Sequence, residues 1–134
     1  MKLTHTSSET AAGSEGWFTG SVWINQIISA KDGPKRLQAA NVHFTPAART
    51  RWHQHDGGQV IYVIEGIGRV QSRGGKVQEI RPGDTVAFEP GEWHWHGAAP
   101  NKFMLHTAMQ VVEDGREVAE WGDEVTDKEY TEAV

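Results

Sequence analysis

The chain has 134 residues, enough for one domain with a core of its own. It contains no cysteine, which excludes disulfides and thiolate metal sites and fits a reducing, cytoplasmic setting. The net charge of −5 goes with scattered basic residues, so no nucleic-acid footprint and no basic membrane anchor is visible, and no apolar run approaches the roughly 20 residues of a membrane span.

The first 16 residues, MKLTHTSSETAAGSEG, are small and polar. They predict a loose N-terminal arm, ahead of a single domain over 17–134. Strand signals then recur at short spacing: Phe18–Ile28, Leu37–Phe44, Gln59–Ile64, Gly68–Ser72, Lys76–Ile80, Thr85–Phe88, Trp93–Gly97 and Lys102–Val112. Glycine- and proline-bearing turns separate them (Arg73-Gly74-Gly75, Pro82-Gly83-Asp84, Glu89-Pro90-Gly91). The very short connection after Gly66 reads as a hairpin joining two of these strands. No helical period sits between strands, so the pattern predicts an all-β sandwich or barrel rather than a parallel α/β sheet. The acidic stretch from Glu113 to Asp123 reads as irregular. Thr126 followed by Glu129, with Asp127 between them, matches a capping box. It predicts one short C-terminal helix that packs Tyr130 back on the barrel. Lys35 and Arg36 read as a solvated strand edge.

The chemistry sits in the histidines. Residues two apart on a strand share a face, so His53 and His55 aim at one point, as do His94 and His96. Gln59 follows the Asp56-Gly57-Gly58 turn and is expected to meet the first pair from the adjacent strand. His106, Ala108 and Gln110 share a face of the last long strand. One His-x-His pair is common on any strand, but two pairs in a chain this short, each beside a glycine turn, point to a metal site. Strand alternation places Thr50 opposite His53 unless a bulge intervenes. His96 is expected in a supporting or rim position, and His43 and His5 away from the site. Ala40, Val42 and Ala108 are small enough to leave a cavity. Trp17 and Trp23 read as residues that cover a neighbouring subunit.

These residues resemble the cupins, whose first motif is G-x5-H-x-H-x3-4-E-x6-G and whose second is G-x5-P-x-G-x2-H-x3-N. Here the first reads His53-x-His55-x3-Gln59-x6-Gly66, and the second reads Gly83, then Gly91-x2-His94. Ala47, Glu89 and Ala98 depart from the pattern at turns, and Gln59 replaces the usual glutamate. The resemblance implies a small jelly-roll β-barrel with one divalent metal on His53, His55, Gln59 and His94. Three imidazoles and a carboxamide carry no charge, so the ion keeps both positive charges and acts as a strong Lewis acid. Nitrogen and oxygen ligands without sulfur suit Mn2+ first, with Fe2+, Ni2+, Co2+ and Zn2+ open.

From about Trp17 to Tyr130 the chain also resembles small bacterial cupins that include manganese-dependent hydroxynitrile lyases. The segments that carry this likeness are Trp52-His53-Gln54-His55, Gly58-Gln59, His94-Trp95-His96-Gly97-Ala98 and His106. The resemblance implies that His106 transfers a proton and that Thr50, His96 and Gln110 line the substrate cavity. It implies a cyanohydrin cleaved to a carbonyl compound and cyanide, with His106 or a hydroxide as the base. His106 would then need a pKa near working pH. A metal-dependent dioxygenase and a non-catalytic sugar- or carboxylate-binding module are the competing expectations. A small-molecule substrate and a homodimer or homotetramer complete the reading.

Overall fold

The computed structural model describes residues 1–5, 9–29, 35–113 and 118–132. In chain order the strands are β1 (Ala11–Ala12), β2 (Phe18–Thr19), β3 (Val22–Ile28), β4 (Lys35–Phe44), β5 (Arg49–Thr50), β6 (His53–His55) and β7 (Gln59–Gly66). They continue as β8 (Gly68–Ser72), β9 (Gln78–Ile80), β10 (Thr85–Phe88), β11 (His94–Ala98), β12 (Met104–Glu113) and β13 (Ala119–Trp121), and α1 (Asp127–Tyr130) closes the chain. The expected strands all occur, with ends moved by a residue or two; Phe18–Ile28 is divided into β2 and β3 at Gly20-Ser21.

Two sheets curl toward each other. One has the order β1-β3-β4-β12-β7-β10, and the other runs β13-β6-β11-β5-β2 with β8 and β9 attached through β11. Every pairing among them is antiparallel, as a jelly roll requires. The β4–β12 ladder is the longest, running from Met104 opposite Phe44 to Glu113 opposite Lys35. Along β12 the residues Met104, His106 and Ala108 are buried while Leu105, Thr107 and Met109 are only half-buried. That alternation of period two points one face into the barrel.

The expected hairpin after Gly66 is not one. β7 belongs to the first sheet and β8 to the second. Gly66 sits at φ +82°, and a Cβ there would collide with the Phe103 carbonyl oxygen, so this corner needs glycine. Ile67 bridges the sheets by donating its N–H to the Phe103 carbonyl (3.1 Å) and accepting from the Ala99 N–H (2.9 Å). A short connection alone does not distinguish a reversal within one sheet from a step between two.

The N-terminal arm also differs from expectation, because Ala11 and Ala12 pair with Ile24 and Trp23 and extend the first sheet. In the acidic stretch, β13 pairs with β6 in the register Trp121–His53; residues 114–117 of that stretch lie outside the described residues.

Apolar side chains fill one end of the barrel: Val22, Phe44, Ile61, Val63, Phe88 and Met104 are core residues. Each such fully buried side chain contributes about 1.5–3 kcal/mol. The other end is open and holds the polar residues described below. A second cluster of Trp52, Val77, Trp95, Val125 and Tyr130 covers the outer face of the second sheet. The helix locks this cover in place. Thr126 and Glu129 form the predicted capping box, and the Tyr130 hydroxyl donates to the Ala98 carbonyl (2.6 Å). The Arg49 guanidinium lies 4.4 Å from the Tyr130 ring centre and donates to the Val125 carbonyl (2.8 Å) and to Asp127 (2.8 Å). With both faces covered, all five residues of β11 are buried. That sets His94 and His96 on a rigid support.

Candidate metal centre

His53, His55, Gln59 and His94 are all buried, and the first three line one pocket. The His53 ring centre is 5.1 Å from that of His55 and 4.3 Å from that of His94. β6 carries the first pair of histidines, and β11 lies beside it in the same sheet, with His94 opposite His53. Gln59 comes from β7 in the facing sheet, not from an adjacent strand as the sequence implied. The Gly58 turn (φ +77°) makes that crossing tight, since a Cβ there would stand 2.8 Å from the Phe88 carbonyl oxygen.

Backbone carbonyls orient two of the rings. His53 Nδ1–H donates to the Arg51 carbonyl (2.9 Å), and His94 Nδ1 lies 2.8 Å from the Glu92 carbonyl. A neutral imidazole has one N–H. His94, however, faces an oxygen acceptor at both nitrogens, because its Nε2 is 3.0 Å from Gln59 Oε1. Only the doubly protonated ring would satisfy both contacts, and burial, with the charges of His53 and His55 adding to it, lowers the His94 pKa to about 2. A lone pair therefore faces a lone pair, and a cation between them removes the conflict. Neighbouring ligands on an ion bound at about 2.1 Å stand roughly 3 Å apart. The donors that stand together, lone pairs on His53 and His94 with a carboxamide oxygen, fit a divalent ion, while the His55 ring centre is 6.0 Å from that of His94, at the edge of the group.

His96 is not at the rim. It is 3% exposed, and its ligand atom falls with those of His53 and His94 in a group spanning no more than 4.8 Å. Its Nδ1 is 2.9 Å from Nε2 of His106, and both rings are buried. His96 Nε2 is an enclosed atom with no hydrogen-bond partner. Burial pushes His106 down to about 3 and, with His106 beside it, holds His96 well below the usual histidine range. The expected near-neutral pKa of His106 is therefore not met in the metal-free protein, because the strand that aims the ring inward also strips it of water. A register shift in the β7–β12 ladder between Leu105 and His106 accompanies that placement.

Thr50 lies on the same pocket as His53, and its Oγ accepts from the His96 N–H (3.2 Å). The chain leaves the strand at Arg51-Trp52, which resets the alternation that would have opposed them. Gln110 reaches the site through Gln59, whose Nε2 donates to Gln110 Oε1 (3.4 Å). Ala40, Val42 and Ala108 line the pocket as expected, while His43 lies on the other face of β4 and His5 is exposed.

The sequence reading missed the aromatic wall. Trp121 stacks on His53 (4.4 Å, 18°), Trp17 stacks on Trp121 (5.2 Å, 14°), and Phe88 lies flat on His94 (3.6 Å, 9°). Trp17 belongs to this wall, although it is still 45% exposed, as is Trp23. The one signal available was a tryptophan embedded in an acidic stretch. The pocket has about 150 Å3, enough for an aromatic ring, and is open to solvent on one side. No Asp, Glu, Lys or Arg stands among its described lining residues.

Comparison with known proteins agrees with this architecture. A family model described as the cupin domain matches residues 40–112. Over 124 residues, 92% of this chain and 93% of the relative, the sequence is 48% identical to an (R)-mandelonitrile lyase from Granulicella tundricola. The structure is similar to that of a cupin-like protein from Thermotoga maritima, with a TM-score of 0.83, 37% identity and 92% of each chain covered. A polyketide cyclase from Streptomyces resistomycificus shares the fold at a TM-score of 0.69 and 21% identity, over 97% of this chain and 90% of its own. No helix among the described residues is long and apolar enough to cross a membrane. On the matched family model and the extent of the 48% identity, the chain belongs to the cupins.

Proposed function

We propose that this cupin is a hydroxynitrile lyase-like C–C lyase, acting on a small neutral cyanohydrin with a divalent cation, Mn2+ first, held by His53, His55, Gln59 and His94. The observation that carries the reading is a pocket of about 150 Å3 that has uncharged metal donors and no ionised side chain among its described lining residues. A dication held by uncharged donors would keep its full charge and stabilise the anions this reaction forms, an alkoxide and cyanide. The 48% identity to an (R)-mandelonitrile lyase supports the same reaction class.

A bound dication would draw electron density from a substrate hydroxyl oxygen and lower its pKa. His106 lines the same pocket as His53, His55 and Gln59. Burial holds His106 well below the usual histidine range, so it accepts the hydroxyl proton only when the cation has made that hydroxyl far more acidic, and the bond between the carbinol carbon and the nitrile carbon breaks. The bonding pair leaves with cyanide, the carbon–oxygen double bond forms, and His106 returns the proton to give hydrogen cyanide and the carbonyl compound. His96, paired to His106 at 2.9 Å, holds the ring in place. Thr50 fixes the backbone of β11 at His96, and Trp17, Phe18, Ile24 and Trp121 form an apolar wall for the substituent.

The test is cleavage of mandelonitrile by metal-free protein reloaded with Mn2+, alongside His106→Ala. The expected result is benzaldehyde and cyanide in equal amounts, with kcat reduced about 100-fold or more by the substitution. No product above buffer after loading with Mn2+, Fe2+, Co2+, Ni2+ or Zn2+ ends the lyase reading. Oxygen consumption by the Fe2+ form with a diketone or thiol would replace it with a dioxygenase.

A further inference from the structure

We propose that Gln110 is a positioning residue that keeps the carboxamide oxygen of Gln59, rather than its nitrogen, turned toward the candidate cation. The inference rests on the ligand set proposed above but requires no turnover.

The two ends of a carboxamide have nearly the same shape and opposite chemistry, so packing does not choose between them and hydrogen bonding does. At one end Gln59 Oε1 lies 3.0 Å from His94 Nε2. His94 already has its Nδ1 against the Glu92 carbonyl at 2.8 Å, so a neutral ring places its proton there and meets Gln59 with a lone pair. Left alone, the Gln59 amide would turn over and donate its NH2 to that lone pair. A dication would then be offered an N–H group, which repels it, in place of an oxygen.

At the other end stands Gln110. Its Oε1 accepts from Gln59 Nε2 at 3.4 Å, so the Gln59 amide cannot turn without setting oxygen against oxygen unless the Gln110 amide turns with it. β12 holds Gln110 in the required place. It pairs with Gln38 across the β4–β12 ladder, and Gln59 begins the neighbouring β7. Gln38, Gln59 and Gln110 thus lie side by side on three adjacent strands, all lining the same pocket. A glutamate at position 59 would need no such partner, since its two oxygens are equivalent. The glutamine is therefore what makes a hydrogen-bond acceptor at position 110 necessary.

The experiment measures Mn2+ affinity, from free-ion electron paramagnetic resonance and from calorimetry, for the full chain stripped of metal. Gln110→Met removes the acceptor while keeping length; Gln110→Leu is the second variant in case the first folds poorly, with the metal-free melting curve as the check. The expected loss is about tenfold or more in affinity, the usual scale for a group that orients a ligand. Gln110→Glu, which keeps an acceptor, retains wild-type affinity or better. The deciding arm repeats Gln110→Met in a Gln59→Glu background, where the loss shrinks to less than about twofold because no amide remains to turn. Wild-type affinity in Gln110→Met would overturn the proposal, and so would an equal loss in the Gln59→Glu background. A wild-type protein that binds no Mn2+ at all would overturn the ligand set itself. Mn2+ bound as described without mandelonitrile cleavage would remove the lyase reading and leave this one standing.

Discussion

Lowering the pH of the metal-free protein should unfold it well above the pH at which most small domains fail. His94, His96 and His106 are each buried, and burial lowers all three pKa values, to about 2 for His94 and about 3 for His106. In the unfolded chain each imidazole titrates near 6.5. Below that pH the unfolded state binds protons that the folded state refuses. Stability is therefore complete above about pH 7 and falls as the pH drops toward the folded-state values. His94 and His106 each contribute about 1.4 kcal/mol per pH unit over that window, so these two cost roughly 3 kcal/mol per unit, and His96 acts in the same direction. Between pH 6.5 and 5 the loss from these two is about 3 kcal/mol, a large part of the stability of an ordinary domain. For a chain of this size that corresponds to a fall in Tm of roughly 12 °C. The assay is circular-dichroism melting of chelator-treated protein from pH 7.5 to 4.5, in parallel with His106→Leu. The substitution should reduce the pH slope by about 1.4 kcal/mol per unit, since one refused proton disappears. A Tm that changes by only a few degrees between pH 7 and 5, or a slope indifferent to His106→Leu, would refute the claim that these rings are held neutral and dry.

Two further outcomes follow from the architecture. Tyr130→Phe removes the 2.6 Å hydrogen bond to the Ala98 carbonyl and leaves that buried acceptor without its partner; urea titration should show a loss of about 1–3 kcal/mol, with the pocket residues unaffected. Gly66→Ala forces a Cβ onto the Phe103 carbonyl at a positive φ, so soluble expression should collapse or unfolding free energy should fall by more than about 3 kcal/mol, whereas Gly74→Ala, with open space around it, should cost about 1 kcal/mol.

Local patterns in the sequence carried a large part of this account. The strands from Gln59 to Val112 are legible because a buried face repeats every second residue, and the Thr126–Glu129 box is legible because a helix start is a contact three residues long. The histidine pairs are legible for the same reason, since residues two apart on a strand must share a face. The tertiary structure decided everything that depends on which sheet a strand joins. It carried β8 across to the second sheet, brought Gln59 in from the facing sheet, and paired Trp121 with His53 from a stretch that has no strand signature. It put Thr50 on the face that alternation had denied it, and it enclosed His96 and His106 so fully that their basicity follows burial rather than residue type. Periodicity is a property of neighbours along the chain. Which oxygen faces which lone pair, and how much water is left between them, is set by residues such as Gln59, His94 and Gln110, which meet only once the barrel has closed.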